Sequence, residues 1–126
     1  MRRAAYLELM EVAHTTGQLY WKVGDAYVHF PNQQARLARI QELRDELRAA
    51  FDPLMRSTRI VALEGPGHVS AAAEAVRQAT QEANSALAAV WRDEPDAHRH
   101  FEDADTRFQL RLEQFTRAAQ TAMSET

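Results

Sequence analysis

The chain has 126 residues, a formal charge of −3, a pI of about 5.9 and no cysteine. That length suits one domain with its own core, while the missing thiols exclude disulfides, thiolate metal sites and a cysteine nucleophile, as a reducing cytoplasm would favour. The mild acidity lacks the basic excess of a nucleic-acid module, and no stretch of about 18 apolar residues is long enough to span a membrane, so neither partner is expected.

The first predicted helix covers residues 2–29. Tyr6, Met10, Ala13, Gly17, Tyr20, Gly24 and Tyr27 step by fours and threes, and Ala5, Leu9, Val12, Thr16, Leu19, Val23, Ala26 and Phe30 repeat those steps one residue earlier. Two adjacent helical stripes are therefore apolar or small, about half the circumference, and such a helix needs more than one neighbour to cover it. Glu8, Glu11, Thr15, Gln18, Lys22, Asp25 and His29 take the other side. Arg2 and Arg3 precede an apolar run as in a signal peptide, but Glu8, Glu11 and His14 interrupt it. Pro31 disfavours helix at the residue before it and ends the element, with Asn32 placed to cap the next.

The second helix is expected over 32–63, with a core stripe of Leu37, Ile40, Leu43, Leu47, Ala50, Leu54 and Val61. Pro53 falls inside the pattern. Asp52 could cap a fresh helix there, but Leu54 and Val61 keep the register of Leu47, which favours one helix kinked near Pro53. Six arginines from Arg36 to Arg59 interleave with Glu42, Asp45, Glu46 and Asp52, which reads as an intrahelical charge lattice, with Asp45 and Arg48 as one pair.

Glu64-Gly65-Pro66-Gly67-His68 is the clearest break. It is not a phosphate loop, because no strand precedes it and no Lys-Ser/Thr pair follows. The third helix follows over 67–91, with a seam of Val69, Ala72, Val76, Ala79, Ala83, Leu87 and Val90. After a turn, Pro95 is expected at the first position of a fourth helix over 95–123, with Asp93, Glu94 and Asp96 at its positive dipole end. Phe101, Phe108 and Phe115 recur every seven residues along it and require small residues opposite. Long helices with three short connections predict an all-α fold, an antiparallel up-down-up-down four-helix bundle with short loops, in a single domain.

Few constellations carry chemistry. Glu11 and His14 form one Glu-x-x-His pair, where a di-iron bundle needs two. His98 with Glu102, and His100 with Asp103, could each hold a divalent cation, but the pairs lie on different helix faces and cannot converge on one ion. The simpler account is an acidic helix start with exposed histidines. No nucleophile elbow or zinc-protease motif is present, so no catalytic residue and no cofactor is assigned and no enzyme is expected. Trp21 shares a flank with Leu7, His14 and Val28 between the apolar and polar sides, where an indole acts as a lid on the bundle or an anchor for a partner. Tyr6, Met10, Tyr20 and Tyr27 are the alternative, lining an interhelical pocket for a small ligand, with Gly17 and Gly24 leaving space.

Arg3-x-x-Tyr6-x-x-Leu9, and the junction from Ile60 to Ala73 around Leu63-Glu64-Gly65-Pro66-Gly67-His68, resemble a broad group of uncharacterised actinobacterial helical proteins. The resemblance covers about a quarter of the chain and brings no activity, cofactor or catalytic residue. Some members carry a membrane anchor ahead of the position of Arg3, which leaves open a soluble member or a chain trimmed of its anchor. The leading expectation is a cytoplasmic interaction or assembly protein that forms a homodimer or binds another protein through Leu7, Trp21 and Val28; the alternative is a small-ligand sensor.

Overall fold

Four helices account for nearly all of the computed structural model, which describes residues 2–29 and 32–125: α1 (Arg2–His29), α2 (Gln33–Glu64), α3 (Gly67–Trp91) and α4 (Ala97–Ser124). Phe30 and Pro31, expected as the last turn and the break after it, lie outside the described residues. The boundaries follow the periodicity within two residues at each end. Neighbours in sequence are neighbours in space, and α4 returns to α1, so the helices stand in the ring order α1, α2, α3, α4. The α3/α4 and α1/α2 seams are the closest and the α1/α4 seam is the loosest.

Both stripes of α1 are buried, as its two-sided pattern demands. Tyr6, Leu9, Ala13, Thr16, Gly17, Leu19, Tyr20, Val23 and Ala26 are all enclosed. The three phenylalanines of α4 are fully buried against them. Phe101 and Phe108 meet Tyr20 edge-on, with centroids 5.6 and 5.2 Å away, and Phe115 meets Tyr6 at 6.5 Å. Each phenylalanine ring thus meets a tyrosine of α1 in the T-shaped geometry that ring quadrupoles favour. Gly17 supplies the small neighbour: a Cβ there would stand 3.4 Å from Phe108 and 2.9 Å from the Gln109 amide. Gly24 does not, because a Cβ there would meet nothing within 4 Å. Tyr20 also crosses the bundle, its hydroxyl donating to Asn84 Oδ1 on α3 at 2.8 Å.

Three local expectations are corrected or sharpened. The helix α2 runs unbroken through Pro53, in line with one continuous helix rather than a fresh start at Asp52. Leu37 leaves the predicted core stripe and stands 57% exposed, while Met55, Ser57 and Thr58 are buried instead. Pro95 is not the first residue of α4: it sits in the turn, and α4 starts at Ala97. Asp93 and Asp96 hold left-handed backbone at φ 54° and 60°, a conformation that aspartate tolerates better than most residues, and so the acids lie before the helix rather than in its first turn.

The other two junctions follow capping rules. Asn32 Oδ1 accepts from the amides of Gln34 and Ala35 at 2.8 and 3.2 Å. Between α2 and α3, the Gly65 amide donates to the Val61 carbonyl at 2.8 Å and Ser70 Oγ donates to the Ala62 carbonyl at 2.7 Å. Space at Gly65 is tight, since a Cβ would lie 3.0 Å from the Val61 oxygen and 3.3 Å from Val69. Among the described residues no helix is long and apolar enough to cross a membrane.

Candidate interaction surfaces

Residues seven apart return to nearly the same side of a helix. Leu7, His14, Trp21 and Val28 of α1 therefore form one row, and all four are exposed. Trp21 is 65% exposed, Val28 73% and Leu7 46%, so Trp21 is not a lid over the core. The row borders the loose α1/α4 seam. Trp21 and Val28 line an open cleft there with Gly24, Asp25, Glu102 and Asp105, and the Tyr20 and Phe101 rings form its floor. The predicted partner residues are thus brought onto one accessible flank.

The carboxylates of this cleft are weakly compensated. Asp25 pairs with His29 at 2.6 Å and Glu102 with His98 at 2.9 Å. Among the described residues Asp105 has only the Gln109 amide, which donates at 3.3 Å. Burial holds the Asp105 carboxyl above the ordinary aspartate range, with Gln109 opposing. Burial, and then the charge of Asp105, likewise raises the Tyr20 hydroxyl well above an ordinary phenol.

The metal candidates do not converge. His98 and Glu102 bond each other, and His100 and Asp103 are exposed on other sides of α4. Among the described residues no three His, Asp or Glu side chains come together to hold an ion. Tyr27 stacks on His98 with centroids 4.4 Å apart, and the Arg36 guanidinium lies 5.4 Å from the Tyr27 ring centre. Burial first, then Asp93, raises the Tyr27 hydroxyl, against the lowering effect of Arg36. The pocket candidates are also dispersed. Tyr6 and Tyr27 are separated by about 30 Å of helix at ~1.5 Å per residue, so no small ligand touches both. Tyr6 and Tyr20 are packed among phenylalanines, and Met10 is half-buried against the core.

Opposite this flank, the α2/α3 seam opens into a groove that the sequence reading missed. Its α2 wall carries Arg44, Arg48, Phe51, Met55, Arg59 and Ala62, and its α3 wall carries Glu74, Arg77, Gln81, Asn84, Ala88 and Trp91. At one end it widens to about 720 Å³ between Phe51, Arg56, Leu63 and Arg77. Arg44 lies 5.9 Å from the Trp91 ring centre, and Glu74 holds Arg77 through both carboxylate oxygens, with Nε at 3.0 and 2.9 Å. The expected charge lattice is mostly absent. Arg39 pairs with Glu42 at 3.0 Å, but Asp45 bonds Gln41, and Arg48, Arg56 and Arg59 meet no carboxylate among the described residues. The signal was present in the sequence as the 44-48-51-55-59-62 spacing, which places basic and apolar side chains on one α2 flank.

No protein-family model matches the chain, and neither the curated proteins nor the solved structures give a match.

Proposed function

We propose that this bundle is a self-associating assembly module in a reducing compartment such as the cytoplasm, a homo-oligomer whose smallest form is a dimer. The observation that supports the reading is the exposed row of Leu7, Trp21 and Val28 beside the loosest seam of the bundle. Single exposed aliphatics are ordinary, but a tryptophan standing in water between two of them is the composition of an interface centre. Burying the indole removes a large apolar area from water at about 25 cal/mol per Å². The pocket reading has less behind it, because Tyr6 and Tyr20 already spend their surfaces on phenylalanine neighbours.

Sedimentation equilibrium from low to high micromolar concentration tests it. The mass should rise with concentration, and Trp21→Ala should weaken association at least about tenfold, as loss of a central aromatic anchor does. A strict monomer over that range removes the reading. Association that Trp21→Ala leaves unchanged removes the α1 flank from it.

A further inference from the structure

Resting on the reading of the bundle as self-associating, we propose that its contact is heterologous: the acidic α1/α4 flank of one copy, centred on Trp21, seats in the arginine-lined α2/α3 groove of the next. The two surfaces are complementary in charge. Asp25, Glu102 and Asp105 line the flank cleft, and among the described residues no lysine or arginine does. Arg44, Arg48, Arg56, Arg59 and Arg77 line the groove against Asp52 and Glu74, and Arg77 already occupies Glu74. The surfaces are also complementary in what they lack. Among the described residues, half-buried Asp105 has only an amide donor, and Arg48, Arg56 and Arg59 have no carboxylate. A guanidinium arriving at Asp105 would supply the bidentate partner that its burial calls for.

Apolar chemistry agrees. The flank offers Trp21 and Val28, and the groove offers Phe51, Leu63 and Trp91 between its charges. A polyphosphate in that groove would leave those apolar side chains in water, whereas an acidic flank with an indole covers both kinds of surface. The ring order of the helices puts the two seams on opposite sides of the bundle. A copy that gives its flank to a neighbour's groove therefore still presents its own groove behind, and the contact does not close on itself as a two-fold dimer does. Such an interface builds a ring or an open chain.

Mixing two blocked variants tests this. Arg48→Glu with Arg59→Glu spoils the groove and leaves the flank; Trp21→Ala with Glu102→Arg spoils the flank and leaves the groove. All four positions are exposed, and retained helical circular dichroism checks the fold of each variant. The wild type should pass beyond two copies as concentration rises. Each variant alone should be monomeric, and an equimolar mixture should form a 1:1 dimer that grows no further. Without any variant, raising salt from about 0.05 to about 0.5 M should weaken wild-type association several-fold, because exposed charge pairs are then screened.

If the groove variant associates as the wild type does, the contact is not in the groove and this proposal falls, although self-association stands. A strictly monomeric wild type sinks both. Binding of a short DNA duplex that is lost in the groove variant, with self-association intact, would assign the groove to polyanions and overturn the proposal as well.

Discussion

Tyr20 does three jobs with one side chain: it fills the core, meets Phe101 and Phe108 edge-on, and ties α1 to α3 through Asn84. Tyr20→Phe keeps the ring and removes only the hydrogen bond. We expect a loss of about 1 kcal/mol in denaturant unfolding, the usual net worth of such a bond. Gly65→Ala should cost about 1–2 kcal/mol for a different reason, since the added methyl is pressed against the Val61 carbonyl and Val69. Asp105 gives a pH signature. Burial holds its folded pKa above that of an ordinary aspartate, so over the window between the two the native state holds the proton that the unfolded chain has released. Stability from this group is highest below that window, falls as pH rises through it, and stays lower above. Asp105→Asn should therefore raise the melting temperature at neutral pH, and the gain should vanish at a pH below the window; an unchanged gain at both would exclude the mechanism.

At the level of the helix, α2 carries a proline that its own packing overrides. Pro53 removes one backbone hydrogen bond from an element that continues eleven residues beyond it, to Glu64. Its side chain is exposed, so Pro53→Ala should stabilise the protein by about 2 kcal/mol in chemical denaturation. The reason α2 survives was legible: Leu54 and Val61 hold the register of Leu47, and all three are buried. Period alone also placed both stripes of α1 and the phenylalanine row of α4, because steps of three and four leave one helical solution. It failed where the answer depends on a neighbour. Leu37 has the spacing of a core residue, yet it lies beyond Ile40, the first buried residue of α2. Pro95 suits a helix start in isolation, but the left-handed aspartates at 93 and 96 delay that start to Ala97. The flank with Leu7, Trp21 and Val28 was readable as a border stripe. The groove was legible only as a basic and apolar row along α2; the state of its arginines was not, because arginine reaches far enough to pair in several ways, and sequence spacing does not say which carboxylate it finds.

For the whole molecule, the ring order of the helices decides what each seam can do. A helical period does not report which helices are neighbours; the packed bundle pairs α1 with α4 and α2 with α3, and in that ring the flank and the groove lie on opposite sides. Self-association has a thermodynamic consequence that needs no variant. A native state that binds its own kind gains stability with its own concentration. The melting temperature should thus climb by several degrees between low and high micromolar protein, and Trp21→Ala should flatten that slope. A wild-type melting temperature independent of concentration would count against assembly at any seam.

The chain has two tryptophans, and they fall on opposite sides. Trp21 stands in water on one, while Trp91 lies half-covered on the other beside the Arg44 guanidinium. The protein therefore carries a separate optical probe for each edge without any dye. With Trp91→Phe, emission reports the drying of Trp21 alone; with Trp21→Phe, it reports events around Arg44 alone. Titrating the Trp21 emitter with an unlabelled, tryptophan-free copy, which keeps the groove arginines, would show when that edge is covered.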